Sequence, residues 1–303
     1  MSATTPKVSI VMGAFNAQRF LAEAIGSLLA QTFSDFELIV VDDGSTDKTF
    51  QILKSFAQRD SRVRPIQIAH GGIVAAANAG LHAARAELIA RADADDVSLP
   101  ERLQMQVDFL EANPHVVAVG SRMIVIEPYG SPMRTTEHRL DHESIETELL
   151  AGSGWALPQP AAMFRKSAVE RVGGYRNDHP WSEDLDLFLR LAEVGRLANL
   201  PEALVKYRVH PKSTNWRHAQ TQLANKPKLL AEAYRRRGRP MPADLTFKDY
   251  WSEAPPERFA HWVWYALRDR NIRGARRHAY SALKSAPFSL LSWRATFWAI
   301  RGY

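Results

Sequence analysis

Short apolar runs alternate with amphipathic segments along the chain as far as residue 215. Val8–Met12 and Glu37–Val41 are rich in β-branched residues, which is typical of strands buried on both faces of a parallel sheet. Arg19–Gln31, between them, has apolar residues at helical spacing. The alternation continues with strands predicted at Val63–Ile68, Glu87–Arg91, Val116–Gly120, Ala161–Arg165 and Glu202–Val209, and helices predicted at Asp47–Ala57, Ile73–Ala84 and Glu183–Val194. This order predicts a Rossmann-like α/β fold, with a mostly parallel sheet flanked by helices.

Local signals mark several helix ends. Ser98-Leu-Pro-Glu101 has the spacing of a capping box, which predicts that a helix opens there. Gly195 predicts the end of the helix that begins at Glu183. From about Trp216 onward the pattern is helical, with breaks near 238–242, 254–256 and 287. We therefore expect an α/β domain over residues 1–215 and a helical extension over residues 216–303.

Composition excludes several classes of protein. The 303 residues are 46% hydrophobic, which is enough for a sizeable core. The absence of cysteine excludes disulfides, thiolate zinc sites and cysteine nucleophiles. The first residues contain no long apolar run after a basic flank, and no stretch is long enough to span a bilayer. The sequence thus predicts a cytoplasmic protein.

Basic charge and tryptophan are concentrated in the extension. Residues 216–303 contain 17 Lys or Arg and 6 Asp or Glu, whereas residues 1–215 contain 22 and 27. The residues that suggest contact with anionic lipid at the inner membrane face are Trp216, Trp251, Trp262, Trp264, Trp293, Trp298, Arg235–Arg237, Arg239, Arg273, Arg276 and Arg277. Packing of most of these tryptophans against the protein is the alternative. No nucleic-acid-binding motif accompanies the basic residues, so we expect no nucleic-acid partner.

Adjacent carboxylates follow the second predicted strand, in Val41-Asp-Asp-Gly-Ser-Thr-Asp47. A simple turn explains Gly44, and it would let Ser45 cap the next helix. It does not explain the Asp42-Asp43 pair, since the two charges repel unless a ligand uses them. One of these carboxylates could accept the N3–H of uracil or thymine. A phosphohydrolase with an aspartate nucleophile is excluded, because Val41 stands where the nucleophile would be.

A second acidic cluster, Asp93-Ala-Asp-Asp96, follows another predicted strand. An exposed acidic turn is the simplest interpretation. An Asp-x-Asp pair after a buried strand also supplies the oxygen ligands with which Mg²⁺ or Mn²⁺ is held against a diphosphate. We therefore predict a divalent-metal site here.

Two further polar positions are ambiguous from the sequence alone. Glu183 and Asp184 follow Ser182 at a predicted helix start, where an N-cap and acids in the first turn stabilise any helix. A general base for a sugar hydroxyl is the competing interpretation. His210 follows a predicted strand, where a lone histidine is more often structural. There is no GxGxxG after the first strand, no P-loop motif and no GxSxG elbow.

Taken together, these segments resemble the family 2 glycosyltransferases of bacterial polysaccharide synthesis, which have the GT-A fold. The resemblance extends over residues 6–215. It is carried, in order, by VSIVMGAFN, QTFSDFELIVVDDGSTDKT, GGIVAAANAGL, ARADADDVSLPERLQMQVDFLEANP, QPAAMFRKSAVERVGGY, SEDLDLFLRLAEVG and YRVHPKST. It implies an inverting, metal-dependent enzyme that transfers sugar from a nucleotide-diphosphate donor, expected to be a UDP-sugar, to a glycan or lipid-linked acceptor.

The resemblance also implies roles for individual residues. The positions expected to hold the nucleotide are Ala14, Phe15, Asn16, Asp43, Asn78 and Asp93. Asp95 would ligate Mn²⁺ or Mg²⁺, with His210 as a further ligand, and Asp184 would be the base, with Glu183 beside it. Gln159 and Trp181 would contact the acceptor or the donor sugar. Gly13, Phe15 and Gln159 stand where many relatives have Pro, Tyr and His, which affects the expected recognition of base and sugar.

Two other functions compete with this one. A catalytically degenerate relative would act as a scaffold or binding protein, but the intact Asp93/Asp95 and Glu183/Asp184 pairs argue against it. A sugar nucleotidyltransferase would need a basic triphosphate loop near the first strand, and Gly13–Arg19 is a poor candidate for one.

Overall fold

The computed structural model of the protein describes residues 5–210, 213–247, 255–268 and 270–302. The strands within these residues are β1 (Val8–Ala14), β2 (Phe36–Asp43), β3 (Val63–Ile68), β4 (Leu88–Asp93), β5 (Val97–Ser98), β6 (Val116–Ile126), β7 (Pro132–Thr135), β8 (Met163–Arg165) and β9 (Arg196–Arg208). The helices are α1 (Leu21–Leu29), α2 (Thr49–Ala57), α3 (Ile73–Ala83), α4 (Arg102–Ala112), α5 (His142–Leu150), α6 (Lys166–Arg171), α7 (Glu183–Leu191), α8 (Thr214–Arg217), α9 (Ala219–Arg236), α10 (Pro255–Arg268), α11 (Ile272–Ser285) and α12 (Leu290–Arg301).

The strands form one sheet in the order β3-β2-β1-β4-β8-β6-β9-β5, with β7 paired to β6. The first four strands are parallel. Beyond β4 the sheet continues through antiparallel pairs, β4 with β8 and β8 with β6. The predicted α/β class is confirmed, and the parallel half comes from the alternating strands and helices of the first hundred or so residues.

Neighbouring residues of β1 belong to different cores because side chains alternate across a strand. Ile10 and Met12 join an apolar cluster with α1 and α4, and Val11 joins the cluster beneath α3 on the opposite face. Helix α3 lies close to the sheet at Gly80, where an added Cβ would be 2.3 Å from Val11 Cγ1. Burial on both faces explains the continuously apolar strands.

The predicted capping box at Ser98–Glu101 is wrong. Ser98 belongs to β5, where it pairs with Val205 of β9, and α4 begins only at Arg102. Ser98 Oγ accepts a hydrogen bond from Arg102 Nη1 at 3.0 Å, and no side chain caps the helix. A pairing with a strand distant in sequence has replaced the local cap.

The chain divides into two compact units. The first comprises Met1–Met123, Glu137–Tyr207 and Thr221–Phe247, and the second comprises Ile124–Thr136, Arg208–Gln220 and Lys248–Tyr303. These units do not follow the single boundary expected at residue 215. Most of α9 belongs to the first unit, because its Leu229, Leu230 and Ala233 are buried in the core that also contains α5 and α7.

Two of the arginines expected to face lipid lie in this part of α9. Arg236 Nε is 3.0 Å from Glu193 Oε1, and Arg237 Nε is 3.0 Å from Glu146 Oε1. Arg237 is nearly buried, with 8% of its side chain exposed. These ion pairs lie within the first unit, so Arg236 and Arg237 serve its packing.

The second unit contains α10, α11 and α12, which pack around a core of small residues. This core consists of Ala260, Val263, Ala266, Leu267, Ala275, Ala279, Ala295 and Ala299, with Trp264, Leu291 and Trp298 against it. Trp262 is buried and makes edge contacts with Trp216 and His278. These tryptophans pack within the unit, and Trp251 lies outside the described residues. None of the described helices is both long enough and apolar enough to cross a bilayer.

Candidate active site

The sheet register brings the carboxyl ends of β1, β2 and β4 side by side. Ala14 lies opposite Asp42, and Gly13 lies opposite Asp93. Strand β1 lies between β2 and β4, so the chain order reverses at this point of the sheet. Such a switch point opens a crevice beyond the strand ends, where α/β proteins bind their ligands. The residues that follow these three strands therefore form the candidate site.

The loops after β1 and β2 hold each other in place. Asn16, with a φ of 49°, donates its backbone N–H to Ser45 Oγ at 2.8 Å, and its Oδ1 accepts from Thr46 N at 2.9 Å. Ser45 therefore does not cap α2, whose N-cap residue is Lys48. The Asn16 side chain is used to position the turn. Its expected contact with a nucleotide stays a prediction.

Asp43 is buried at the end of β2, and three N–H groups of one turn converge on its carboxylate. Oδ1 accepts from Gly71 N at 2.7 Å, and Oδ2 accepts from Gly72 N at 2.9 Å. His70 Nδ1 lies 2.8 Å from the same Oδ2. The carboxylate thus connects the end of β2 to the loop between β3 and α3.

The His70 ring also stacks on Phe15, with 4.3 Å between ring centroids and 18° between the ring planes. Phe15 remains 49% exposed and His70 57% exposed, so both rings border solvent. Gly44 has a φ of 69°, and a Cβ there would be 2.9 Å from His70 N, which explains the glycine after Asp43. The sequence pattern did not predict a role for His70. The local feature that could have indicated one is a histidine that follows the end of a parallel strand and precedes Gly71-Gly72.

Asp93 and Asp95 are partly exposed at the end of β4, whereas Asp96 is buried. Desolvation, together with the charges of Asp95 and Asp184, raises the pKa of Asp93 to about 6. Positive charge on Arg91 opposes this increase. The acids after β4 therefore repel one another in a poorly hydrated place, and a cation would relieve that repulsion.

Two buried arginines, for which the sequence pattern predicted no role, lie near these acids. Arg91 Nη1 donates to Val11 O at 3.0 Å, and Nη2 lies 3.9 Å from Asp93 Oδ1. Arg102 Nη2 donates to Arg91 O at 2.5 Å, and burial lowers the pKa of Arg102 to about 10. Arg91 could have been recognised as a charged residue inside an otherwise apolar strand. Arginines are rarely buried without a partner, so its position indicates a specific contact.

The two acids at the start of α7 have different environments. Glu183 is 4% exposed, and burial together with the charge of Asp184 raises its pKa to about 8. Its Oε2 is buried and makes no hydrogen bond to any described residue. Asp184 is partly exposed, and Leu185 N donates to its Oδ1 at 2.7 Å. Burial raises the pKa of Asp184, while the charge of Lys226 lowers it.

The segment before α7 is strained and held by ion pairs. Trp181, partly buried, has a φ of 64°, which costs a bulky residue about 1 kcal/mol or more. Within α7, Asp186 pairs with Arg190 at 2.6 Å and also with Arg176. Arg190 in turn donates to the carbonyl oxygen of Gly174 at 2.8 Å. These contacts hold the first turn of α7, and with it Glu183 and Asp184, against the preceding loop.

Asn78 and Gln159, two of the predicted ligand contacts, both bind Tyr175. Asn78 Nδ2 donates to Tyr175 O at 2.9 Å, and its Oδ1 accepts from Tyr175 N at 3.1 Å. The Tyr175 hydroxyl donates to Gln159 Oε1 at 3.1 Å. Burial raises the pKa of Tyr175, as do the charges of the acids after β4 and in α7. The Asn78 amide is thus used inside the protein, and its expected place near phosphates stays a prediction.

Asp95 and Asp184 both lie within electrostatic range of Asp93. His210 lies in the second unit, buried after β9, and its N–H donates to Ser213 Oγ at 3.1 Å. Among the described residues, no three His, Asp or Glu side chains are grouped so that they could hold a metal ion. Two carboxylates and substrate phosphates commonly suffice for Mg²⁺, so the oxygen donors of Asp93 and Asp95 fit such an ion when a diphosphate is present.

The fold is that of the GT-A glycosyltransferases, and solved structures of this class share it. The mannosyltransferase PcManGT from Pyrobaculum calidifontis, in complex with GDP-Man and Mn²⁺, has a TM-score of 0.59 at 20% identity, covering 99% of this chain and 82% of that one. TarS 1-349 from S. aureus, in complex with UDP-GlcNAc, has a TM-score of 0.58 at 16% identity, covering 98% and 92%.

The amino-acid sequence is similar to named relatives as well. The profile of glycosyl transferase family 2 matches residues 9–173. EpsE of Bacillus subtilis is 40% identical over 208 residues, which are 67% of this chain and 73% of that protein. The O-antigen biosynthesis glycosyltransferase WbnJ of Escherichia coli is 33% identical over 213 residues, covering 68% and 81%. The chain belongs to glycosyl transferase family 2.

Proposed function

We propose that the protein transfers a sugar from a UDP-sugar to a glycan or lipid-linked acceptor in cell-surface polysaccharide synthesis, with inversion at the anomeric carbon. The observation that carries the proposal is that Asp184, on α7, lies within electrostatic range of Asp93 at the sheet's switch point. A donor diphosphate held after β4 would therefore lie near a carboxylate able to accept a proton. The role of WbnJ in O-antigen biosynthesis supports the polysaccharide, and the complex of TarS with UDP-GlcNAc supports the UDP-sugar.

The uracil base would lie on Phe15, with its N3–H directed at Asp43. The His70 imidazole shows that a flat ring fits against Phe15 while an N–H group points at Asp43 Oδ2. Gly71 N donates to the other oxygen, Oδ1, and Gly72 N leaves Oδ2 one direction for a further donor, the one that His70 uses. Donor binding would thus displace His70 from the place where the base binds.

Asp95, with Asp93 beside it, would hold Mn²⁺ or Mg²⁺ through carboxylate oxygens. When bound, this ion would neutralise the charge that develops on the departing diphosphate. Burial, and then the charges of Asp95 and Asp184, raises the pKa of Asp93, and a cation bound there would favour its ionised form. Asp93 would also contact the ribose.

Of Glu183 and Asp184, Asp184 is the better base. Glu183 is buried with a pKa of about 8, so at neutral pH it holds its proton. Asp184 is partly exposed, and its Oδ1 accepts a hydrogen bond from the Leu185 N–H. The other oxygen, Oδ2, lies beside Gly154, where an added Cβ would be 3.6 Å away. Oδ2 would take the proton of the acceptor hydroxyl, whose oxygen attacks the anomeric carbon opposite the leaving diphosphate.

The test combines transfer assays with two variants. A panel of nucleotide sugars with Mn²⁺ identifies the donor by release of nucleoside diphosphate, and NMR of the product identifies the anomer. Asp184→Asn should lower turnover about 10²- to 10⁴-fold while donor binding is kept. Asp95→Ala should weaken binding of UDP in the presence of Mn²⁺ but much less in its absence.

Asp108, exposed on α4, supplies the control Asp108→Asn, which should change neither turnover nor binding. Wild-type turnover in Asp184→Asn would remove it as the base. Release of pyrophosphate in place of UDP would indicate a nucleotidyltransferase, and retention at the anomeric carbon would contradict the single displacement.

A further inference from the structure

Helix α12 packs Leu291 and Trp298 against the core of the second unit but exposes four other large apolar residues. The residues that it buries against the second unit are small: Ser292, Ala295 and Ala299. The large apolar residues on its opposite side are exposed: Leu290 by 88%, Trp293 by 58%, Phe297 by 51% and Ile300 by 65%. Their spacing of three or four residues places them on one face. A surface helix of a globular protein normally has the reverse arrangement, so this face is suited to a partner that excludes water.

Helix α12, which carries the exposed face, is capped at both ends and hydrogen-bonded to α11. Its N-cap Ser289 accepts from Ser292 N, and Gly302 ends it in the left-handed conformation. Ser292 Oγ donates to Ala282 O of α11 at 3.2 Å, and Arg276 of α11 donates to Ala299 O at 3.3 Å. The exposure of the large side chains is therefore a property of the packed unit.

The polar group of the largest exposed ring is already satisfied. Trp293 Nε1 donates to Pro287 O at 2.7 Å, which removes most of the cost of moving the indole out of water. Phe288, in the turn before α12, is 97% exposed. The turn and the helix thus present a continuous series of apolar side chains without an unpaired indole N–H.

The charged residues of α11 and α12 all have the same sign. Residues 270–302 contain seven Lys or Arg and no Asp or Glu. Arg294 and Arg301 are exposed on α12, and the guanidinium of Arg301 lies 5.0 Å from the centre of the Phe297 ring. Arg273 and Lys284 are exposed on α11. An apolar face bordered by arginines complements a surface whose interior is hydrocarbon and whose outer layer is negatively charged.

We propose that α12 lies in the surface of an anionic lipid bilayer, with its axis parallel to the membrane. Phe288, Leu290, Trp293, Phe297 and Ile300 would enter the boundary between headgroups and acyl chains, and the arginines would contact lipid phosphates. A helix of 12 residues is about 18 Å long, too short to cross the bilayer core. The proposal goes beyond the transfer reaction and does not depend on it.

The test is flotation of the full chain with vesicles of phosphatidylcholine alone or with added phosphatidylglycerol. We expect binding to the anionic vesicles and little binding to the neutral ones. Leu290→Gln/Phe297→Gln should weaken partitioning at least about tenfold. Arg294→Gln/Arg301→Gln should also weaken it about tenfold on anionic vesicles. Leu140→Gln, which changes a 41% exposed leucine in the first unit, is the matched control and should bind like the wild type.

A second readout locates the helix. Brominated lipids should quench tryptophan fluorescence in the wild type and much less in Trp293→Phe. Wild-type flotation of Leu290→Gln/Phe297→Gln, or equal flotation with neutral and anionic vesicles, would overturn the proposal. So would light scattering that shows a lipid-free wild-type dimer converted to a monomer by the same double substitution, since a second copy of the chain would then cover the face.

Discussion

Removal of the His70 ring tests whether the base of the donor binds where this ring now lies. The imidazole stacks on Phe15, with 4.3 Å between ring centroids, and its Nδ1 lies 2.8 Å from Asp43 Oδ2. A nucleotide that binds there must first break both contacts. His70→Ala removes this competition, so we expect UDP to bind more tightly to the variant.

The size of the effect follows from the two contacts. An aromatic pair contributes about 0.5–1.5 kcal/mol, and a hydrogen bond to a charged group about 1.5–3 kcal/mol. His70 is 57% exposed, so contacts with water replace much of the stacking energy and of the hydrogen-bond energy when the ring moves away. A net cost of about 1 kcal/mol remains, which corresponds to roughly fivefold tighter binding in the variant.

Titration calorimetry of UDP in the presence of Mn²⁺ measures this directly. His82→Ala, at an exposed position of α3, is the control and should bind like the wild type. His70→Asn can still donate to Asp43 but cannot stack, so its affinity should be intermediate. Weaker binding of UDP to His70→Ala would show that His70 contacts the bound nucleotide, and unchanged binding would show that the base lies elsewhere. Either result would refute the reasoning.

Three further predictions concern residues around the site. Asn78→Ala should lower the free energy of unfolding, measured in urea, by about 1–3 kcal/mol, because both backbone groups of Tyr175 lose their partner. The Kd for UDP should stay unchanged, and a higher Kd would show that Asn78 contacts the donor. Glu183 has a pKa of about 8 against its usual 4.5, so the folded state binds its proton more tightly and stability is lost as pH rises from about 4.5 to 8. Without added metal, the melting temperature of Glu183→Gln should therefore fall less over this window than that of the wild type. Gly80→Ala should lower stability by about 1–3 kcal/mol, since its Cβ would be 2.3 Å from Val11 Cγ1, and a wild-type urea midpoint would contradict this packing.

The sequence alone determined the order of strands and helices from β1 to β4 and the acids that follow these strands, whereas it predicted none of β5, β7, α5 and α6. Strand β3 has the predicted bounds, and β1, β2 and β4 agree within a few residues, because burial on both faces produces apolar runs that can be read locally. The rule that ligands bind beyond the ends of parallel strands placed Asp43 and Asp93 at one edge, and the register confirms it.

Other features arise only from contacts between distant segments. Ser98 pairs with β9, Asn78 binds the backbone of Tyr175, and His70 reaches both Phe15 and Asp43; no local pattern encodes these partners. The tryptophans of the extension illustrate the same limit. The composition of the extension suggested that its tryptophans form a surface that meets lipid, but packing buries Trp262 and leaves Trp293 exposed. Periodicity shows that a helix has an apolar face, and only the tertiary structure decides whether that face is covered, because burial depends on neighbours far away in the chain.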